Sequence, residues 1–519
     1  MKETVDKYKV PLCLLALCIV SFLIITPILR PGMFVSDDGN WMVVRFAAFY
    51  HALRAGQFPV RFLPQLNFGY GYPVATFLYP GFMYLGAPIK ALGLGFVTTV
   101  KILFGIGIIG QIICTYLWLR KRFSGINAII GTIVSTFTPY FLYDIYSRGS
   151  LGEVLAIATL PFILWMIERR SIFWIGTGIF ALILFHNTLA LLFLPVILLY
   201  GLLSETRRTR DFLIPFVLGG LSAAFFAVPA ILELHLTQFA ITPVSNPLLY
   251  FAQIKIIGWP LLVILLVTLG ALLLDKKDKR NRRLVPLFLI LGLISIFMAS
   301  ALSRFLWEGI PASFVQFPFR FLSYIPVTTA FLTSFVIGFL KTKKWLVVAI
   351  LSTGIVVFTY GPWHLNIAYQ NQPDGYYATS EATTTVKDEY MPRWVKDKPS
   401  MHPVIPAEFA KGSGTIENVV DNGRRISLRA TSETGGILQL NIIYWPGWKA
   451  TVDGKPQAIS YANPGGLMTF PVSAGSHDIS IRFGETILRL LADMISVLAF
   501  FILLAYALKA KVKTCDKMG

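Results

Sequence analysis

The acidic pair Asp37–Asp38 directly follows the first long apolar run, in the sequence FVSDDGNW. A carboxylate at such a place could deprotonate an acceptor hydroxyl or hold a metal ion. Arginines on the same side of a membrane could bind a phosphate through paired hydrogen bonds and stabilise charge on a leaving group. The residues of suitable type that we expect at this outer face are Asp37, Asp38, Arg45, Arg61, Arg148, Glu153, His186, Asn187 and Arg320.

Four of these residues are predicted to line one cavity, although they lie far apart in the sequence: Asp38, Arg148, Glu153 and Arg320. A charged side chain beside hydrocarbon is costly unless it is paired or faces water, so their collection on one face favours a shared polar site. Simpler interpretations stay open. The acidic pair could be a solvated helix end, Arg148 and Glu153 could form a structural ion pair, and His186 could be a core histidine bonded to a neighbouring helix.

Membrane helices are the elements that must position these residues. The chain of 519 residues is 55% hydrophobic and only 14% charged, whereas a soluble domain carries about 25% charged residues. Apolar runs near 20 residues in length recur along it, and each could cross about 30 Å of hydrocarbon. The net charge is +19, but residues 361–485 hold 11 basic and 12 acidic side chains, so the excess lies between the apolar runs. That distribution is typical of a membrane protein and argues against nucleic acid as a partner.

The basic clusters set the predicted topology, because positively charged loops face the cytoplasm. Twelve spans satisfy all the clusters and leave both termini in the cytoplasm: 10–29, 97–119, 125–143, 151–168, 172–186, 188–204, 211–231, 257–274, 284–302, 321–340, 344–360 and 486–508. The spans 172–186 and 188–204 are short and could be two tilted half-helices. The apolar segment 72–93 contains three prolines, which break helices, so we predict an interfacial or re-entrant element at the outer face.

A C-terminal segment has a different pattern. Residues 361–485 include ILQLNIIYW, ATVDGKP, MTFPV and HDISIRF, in which apolar and polar residues alternate between turns. This pattern predicts antiparallel strands in a small sandwich. The predicted fold class is therefore an all-α polytopic membrane protein with a C-terminal extracytoplasmic β-sandwich-like domain. The predicted units are a transmembrane domain at 1–360 with a first external loop at 31–96, a β-rich domain at 361–485, and a final helix with a basic cytoplasmic tail at 486–519.

Several stretches carry a resemblance to known proteins: ALRAGQFPVRFLPQLNFGYGYPVATFLYPGFMYLG with Asp38 and Arg45 upstream, then YSRGSLGE, FHNTLA and QFPFRFL. With them, the chain resembles a prokaryotic group of membrane proteins labelled "6-pyruvoyl-tetrahydropterin synthase-related", a label that implies no pterin chemistry. The group is similar to the GT-C superfamily of polyprenyl-phosphate-sugar-dependent glycosyltransferases, whose first external loop carries an acidic motif. The usual Tyr-Pro-Pro of the group is here Tyr79-Pro80-Gly81, and the histidine commonly found after the acidic motif is absent.

The resemblance implies a glycosyltransferase in the cytoplasmic membrane of a prokaryote. Its donor would be a polyprenyl-phosphate-linked sugar, and its acceptor an envelope glycan, lipid or protein outside the membrane. Asp38 or Asp37 takes the place of the acidic-motif carboxylate, Arg148 and Arg320 become lipid-phosphate ligands, and a divalent metal ion is a candidate cofactor. The alternative is a non-catalytic transporter of lipid-linked sugars or a scaffold for an envelope complex. A transporter should carry polar residues through the bilayer midplane, whereas these residues cluster at one face.

Overall fold

The chain is mostly helical up to residue 339 and forms β-sheets near its C-terminus. The computed structural model describes residues 2–204, 209–240, 246–274, 281, 283–309, 315–339 and 367–515. Its helices are α1 (Lys2–Leu29), α2 (Gly39–Arg54), α3 (Gly81–Ala91), α4 (Phe96–Leu119), α5 (Gly125–Thr136), α6 (Pro139–Tyr143), α7 (Leu151–Glu168), α8 (Ile172–Phe185), α9 (Asn187–Leu203), α10 (Arg210–Ser222), α11 (Ala224–Leu232), α12 (Ile254–Ile257), α13 (Trp259–Leu274), α14 (Leu284–Ala299), α15 (Arg304–Gly309), α16 (Ile325–Phe339), α17 (Asp374–Ala378) and α18 (Ile487–Cys515).

Four helical stretches of the described residues are long and apolar enough to cross a membrane: Phe96–Leu119, Leu151–Glu168, Pro318–Phe339 and Ile487–Ala510. Three further pairs of helices are separated by a bend, and each pair would make one span if its two helices are counted as a single bent helix. They are Gly125–Thr136 with Pro139–Arg148, Asp211–Ser222 with Ala224–Leu232, and Leu284–Ala299 with Ala301–Glu308. The chain is therefore a multi-pass membrane protein with four to seven candidate spans in the described residues.

The predicted number of twelve spans is not confirmed. Helices α8 and α9 have 14 and 17 residues, which is fewer than the roughly 20 needed to cross hydrocarbon. The chain breaks between them at His186, where half-helices were expected. The predicted span 344–360 lies outside the described residues. Segment 72–93 forms a short 3-10 turn, Pro73–Thr76, and the 11-residue helix α3, so it holds no helix of spanning length.

Helices α4 and α7 pack closely, and this contact places the start of α7 inside the protein. A Cβ atom at Gly107 of α4 would lie only 2.8 Å from Val154 Cγ1 of α7. Small residues permit such close approach between membrane helices. Val154 follows Glu153, which is fully buried. The packing of α4 on α7 thus holds a carboxylate in the helical core.

The C-terminal region contains two antiparallel sheets. The strands are β1 (Met33–Phe34), β2 (Tyr369–Gln370), β3 (Ala407–Gly412), β4 (Thr415–Asp421), β5 (Arg425–Ser432), β6 (Gly436–Ile443), β7 (Trp448–Val452), β8 (Lys455–Gln457), β9 (Leu467–Val472) and β10 (Gly475–Phe483). The larger sheet has the order β4-β5-β10-β7-β8, the smaller has the order β3-β6-β9, and β1 pairs with β2. Alternate residues of β5, β9 and β10 are buried. For β9 and β10, the alternation in MTFPV and HDISIRF predicted such strands with one inward face.

The segment that leads into the β-sheets lies against residues 31–96, called the first loop below. Arg45 of α2 donates hydrogen bonds to the Thr384 carbonyl oxygen at 2.8 Å and to its hydroxyl at 3.3 Å. The Tyr390 ring stacks between Phe77 and Phe239, with centroid distances of 5.3 and 5.6 Å. These contacts fix the first loop, which carries the acidic pair, to the C-terminal region.

Candidate active site

The acidic pair is held by the backbone of a second loop. The Asp37 N–H donates to the Ser147 carbonyl oxygen at 2.9 Å, and the Asp38 N–H donates to the Arg148 carbonyl oxygen at 2.7 Å. Gly149 has a φ of +64°, and a Cβ there would collide with the backbone at the start of α2. Glycine is the residue that permits both the conformation and the close approach. The FVSDDGNW and YSRGSLGE motifs therefore meet as one structural unit.

A π-helical turn, Asp144–Arg148, continues α6 and ends the bent pair of helices α5 and α6 at the site. The turn brings Arg148 Nη1 to 2.9 Å from Asp144 Oδ1. Asp144 is fully buried, and its Oδ2 has no hydrogen-bond partner among the described residues. π-Helical turns are rare and occur frequently at functional sites.

Glu153, in the first turn of α7, is the centre of the cluster. Its Oε1 lies 2.6 Å from Arg148 Nη1 and 3.0 Å from Arg320 Nε. Its Oε2 accepts a hydrogen bond from the Tyr140 hydroxyl at 3.1 Å. Because the carboxylate is fully buried, two guanidinium groups compensate a charge that would otherwise be strongly unfavourable. The structure thus brings together Asp38, Arg148, Glu153 and Arg320, the four residues predicted to line one cavity.

Aromatic rings support both guanidinium groups. The Arg320 guanidinium lies 4.9 Å from the centroid of Phe317, and that of Arg148 lies 5.1 Å from the centroid of Phe319. The two phenylalanine rings stack on each other at 5.1 Å. Cations gain electrostatic attraction from aromatic faces. No role was predicted for these phenylalanines or for Tyr140, although the alternation of aromatic residues around Arg320 in QFPFRFL was a signal that could have identified them.

The two acidic side chains of the first loop lie at the accessible edge of the cluster. Asp38 Oδ2 is 3.7 Å from Arg148 Nη2, and the Asp38 side chain is 38% exposed. Partial burial raises the pKa of Asp37, the negative charge of Asp38 adds to this effect, and the positive charge of Arg148 opposes it. A carboxylate with a raised pKa binds a proton more readily, as a general base must.

His186 and Asn187 lie at the break between α8 and α9. His186 Nδ1 accepts a hydrogen bond from the Leu189 N–H at 3.2 Å, so the ring caps the start of α9. Its Nε2 is 3.5 Å from Glu153 Oε1, and its ring lies 4.5 Å from that of Tyr79. This placement favours the interpretation of a core histidine. Asn187 is exposed and donates to the Phe77 carbonyl oxygen at 3.4 Å.

Two of the expected substrate-binding arginines are bound elsewhere. Arg45 holds the Thr384 segment, as described above. Arg61 is 1% exposed and makes ion pairs with Glu485 at 3.2 Å and Asp493 at 2.9 Å. Its Nη1 also donates to the Phe225 carbonyl oxygen at 2.6 Å. The guanidinium of Arg61 therefore connects the first loop to the start of α18. It does not lie beside Asp38, where it was predicted.

The clustered carboxylates do not fit a divalent metal ion. Among the described residues, no three His, Cys, Asp or Glu side chains gather as metal ligands would. Asp144 and Glu153 are the buried acids of the site, and both face Arg148, whose charge repels a cation. The charged groups of the site therefore form an arginine–carboxylate network and not a set of metal ligands.

Comparisons with known proteins identify similar sequences and structures. Residues 409–494 match the family described as Bacterial membrane protein YfhO, a different name from the pterin-related label of the sequence resemblance. No curated protein matches the chain. The arabinofuranosyltransferase AftD from Mycobacteria is 14% identical with a TM-score of 0.48, and the match covers 70% of this chain and 28% of AftD. The oligosaccharyltransferase AglB from Archaeoglobus fulgidus, solved with an inhibitory peptide and a dolichol-phosphate, is 12% identical with a TM-score of 0.40, and the match covers 72% of this chain and 57% of AglB.

Proposed function

We propose that the chain is a membrane glycosyltransferase that moves a sugar from a polyprenyl-phosphate donor to an acceptor outside the cytoplasmic membrane. The observation that carries this proposal is the convergence of Asp38, Arg148, Glu153 and Arg320 from four segments at one end of apolar helices. Ionisable side chains at membrane depth are costly and are retained mainly for function. A carboxylate beside two arginines is also the pairing that transfer from a sugar phosphate requires.

In the proposed reaction, Asp38 accepts the proton of the acceptor hydroxyl. The oxygen of that hydroxyl attacks the anomeric carbon, the bond from this carbon to the phosphate oxygen breaks, and the configuration inverts. Asp38 suits this role because its side chain is partly exposed while it remains 3.7 Å from Arg148 Nη2. Asp37, whose pKa is raised by burial, is the second candidate base.

The leaving phosphate would bind the guanidinium edges that Glu153 leaves available. Each guanidinium carries five N–H donors. Glu153 occupies Arg148 Nη1 and Arg320 Nε, and Arg320 Nη1 donates to the Val315 carbonyl oxygen at 2.9 Å. Arg320 Nη2 makes no hydrogen bond among the described residues, and Arg148 Nη2 faces Asp38 Oδ2 at 3.7 Å, so the phosphate would bind at these two groups, beside the proposed base. Glu153 would thus be a positioning residue that holds both arginines in a fixed orientation.

Envelope glycans of a deletion strain provide the test. The strain is complemented with the wild-type chain, with Asp38→Asn, or with Asp397→Asn, which changes an exposed carboxylate away from the site. Mass spectrometry should show a glycan that the deletion removes, that wild type and Asp397→Asn restore, and that Asp38→Asn does not restore at equal membrane abundance. Full restoration by Asp38→Asn would refute the proposed base. A glycan profile unchanged by the deletion would refute the transferase and favour the scaffold alternative.

A further inference from the structure

Three side chains at the end of the β-sheets form a hydrogen-bonded series that the proposed transferase site does not use. Ser473 lies in the turn between β9 and β10, His477 lies on β10, and Asp453 lies in the turn between β7 and β8. Ser473 Oγ is 3.0 Å from His477 Nε2, and His477 Nδ1 is 2.7 Å from Asp453 Oδ2. This is the order of contacts in a serine–histidine–aspartate triad, which is recognised by geometry whatever the fold.

Local structure explains why Asp453 holds this position. Asp453 and Gly454 have φ values of +50° and +76°, as expected in a two-residue Asp-Gly turn of a hairpin. The Asp478 N–H donates to Asp453 Oδ1 at 2.9 Å, which leaves Oδ2 for the histidine. Both carboxylate oxygens are thus engaged, and the orientation of the group is fixed.

The direction of each hydrogen bond follows from the ionised carboxylate. Asp453 Oδ2 can only accept, so His477 Nδ1 carries the proton of the neutral ring. His477 Nε2 then has a lone pair, which accepts from the Ser473 hydroxyl at 3.0 Å, a shorter contact than the 3.4 Å to the Ala474 carbonyl oxygen. The hydrogen bond to Asp453 also raises the pKa of His477, which makes the ring a stronger base. Ser473 is exposed, so the oxygen of its hydroxyl is open to a reagent from solution.

We propose that Ser473 is an activated nucleophile that accepts an acyl group from a soluble ester. Ser473 Oγ bonds to the ester carbonyl carbon while its proton passes to His477 Nε2. The bond from this carbon to the alcohol oxygen then breaks, and the alcohol leaves with the proton from His477. Water releases the acyl group from Ser473 as a carboxylic acid by the same steps. Asp453 orients the ring and stabilises its protonated form.

The position of Ser473 in the fold indicates that its substrate comes from solution. Strand β10 runs nine residues from Gly475 to Phe483, and helix α18 begins at Ile487. At about 3.3 Å per residue, Ser473 lies roughly 27 Å from the end of β10 that leads into this helix. Ser473 is exposed and separated from this helix by the length of β10, so a soluble molecule can reach it. The inference does not depend on the proposed glycosyltransferase.

Labelling of the full-length protein in detergent with a fluorophosphonate probe tests the proposal. The serine oxygen bonds to phosphorus, fluoride leaves, and the adduct stays on the protein for peptide mapping by mass spectrometry. Ser476 is the matched control, because it is exposed in the same strand end but its hydroxyl bonds to Thr431 at 2.9 Å. We expect labelling of Ser473 and a rate about 100-fold lower after His477→Gln, the usual scale of a general base.

Asp453→Asn should also slow the labelling of Ser473. Circular dichroism of each variant checks that the protein remains folded. Loss of the adduct in a folded variant then shows that Ser473 has become less reactive. Equal labelling rates at Ser473 and Ser476 would overturn the proposal, and so would a Ser473 rate that His477→Gln leaves unchanged. Either result would make the three residues a structural connection between two turns.

Discussion

Replacement of Glu153 by glutamine isolates the charge that organises the candidate site. In the wild-type protein, the buried Glu153 carboxylate pairs with the buried guanidinium groups of Arg148 and Arg320, and Asp144 pairs with Arg148. Glutamine has nearly the shape of glutamate but no charge. In Glu153→Gln, Arg148 would keep Asp144 and Asp38 as partners, but Arg320 would lose its ion pair. One buried positive charge would then lack compensation.

The size of the effect follows from burial and geometry. Glu153 is fully buried, and its two ion pairs are 2.6 and 3.0 Å long. Removal of one partner from a buried pair typically costs about 3–5 kcal/mol, because the other charge remains without compensation. We expect Glu153→Gln to lower the free energy of unfolding by this amount. Arg320→Gln should also be destabilising, and the double variant should lose less than the two single variants added together.

Denaturant titration of the four proteins in the same detergent measures this coupling. Glu308→Gln is a matched control, because Arg304 Nε–Glu308 Oε1 is also 3.0 Å but both side chains are more than half exposed. Such an exposed pair contributes about 0–1 kcal/mol. Additive losses for Glu153→Gln and Arg320→Gln, within about 0.5 kcal/mol, would show that the two residues do not interact. A loss for Glu153→Gln as small as for Glu308→Gln would refute the buried ion network.

Three further outcomes are expected. Arg320→Lys removes the planar fork that spans Glu153 and the Val315 carbonyl oxygen, so the complemented strain should make less of the glycan at equal protein abundance. Gly149→Ala places a Cβ against the start of α2 at a φ of +64°, so it should lower the melting temperature more than Gly105→Ala, whose added Cβ meets nothing within 4 Å. Because burial and Asp38 raise the pKa of Asp37, its ionisation opposes folding increasingly as pH rises above 3.8. Asp37→Asn should therefore raise the melting temperature more at pH 7 than at pH 4.

The sequence alone allowed the convergence at the site to be predicted, because the cost of an isolated charge near hydrocarbon applies to each residue separately. Asp38, Arg148, Glu153 and Arg320 could be grouped in this way without knowledge of their contacts. The partners of Arg61 could not be predicted. Glu485 is 424 residues away from it in the sequence, and nothing in the local pattern distinguishes this carboxylate from those of the site.

The helices and strands could also be predicted only in part from the sequence. Strong alternation in MTFPV and HDISIRF predicted β9 and β10, whose inward residues are buried. Strand β4 is almost wholly exposed, so its sequence TIENVVD carries little apolar alternation and was not predicted. The twelve predicted spans are not confirmed, because apolar runs predict burial as well as crossing. Helices α8 and α9 are apolar but only 14 and 17 residues long.

The end of the helix pair at Asp144–Arg148 and the acidic loop depend on each other. A helix that ends inside a membrane protein leaves carbonyl groups without their usual partners, and such groups must be satisfied. The carbonyls of Ser147 and Arg148 accept the N–H groups of Asp37 and Asp38. The same two hydrogen bonds therefore provide donors for two carbonyl groups at the end of the helix, and they set the distance between the proposed base and Arg148. Because Arg148 is also bound to Glu153 at 2.6 Å, the proposed base and the proposed phosphate ligands belong to one connected structure. A displacement of either loop would move Asp38 and Arg148 together, which preserves the geometry that a transfer reaction requires.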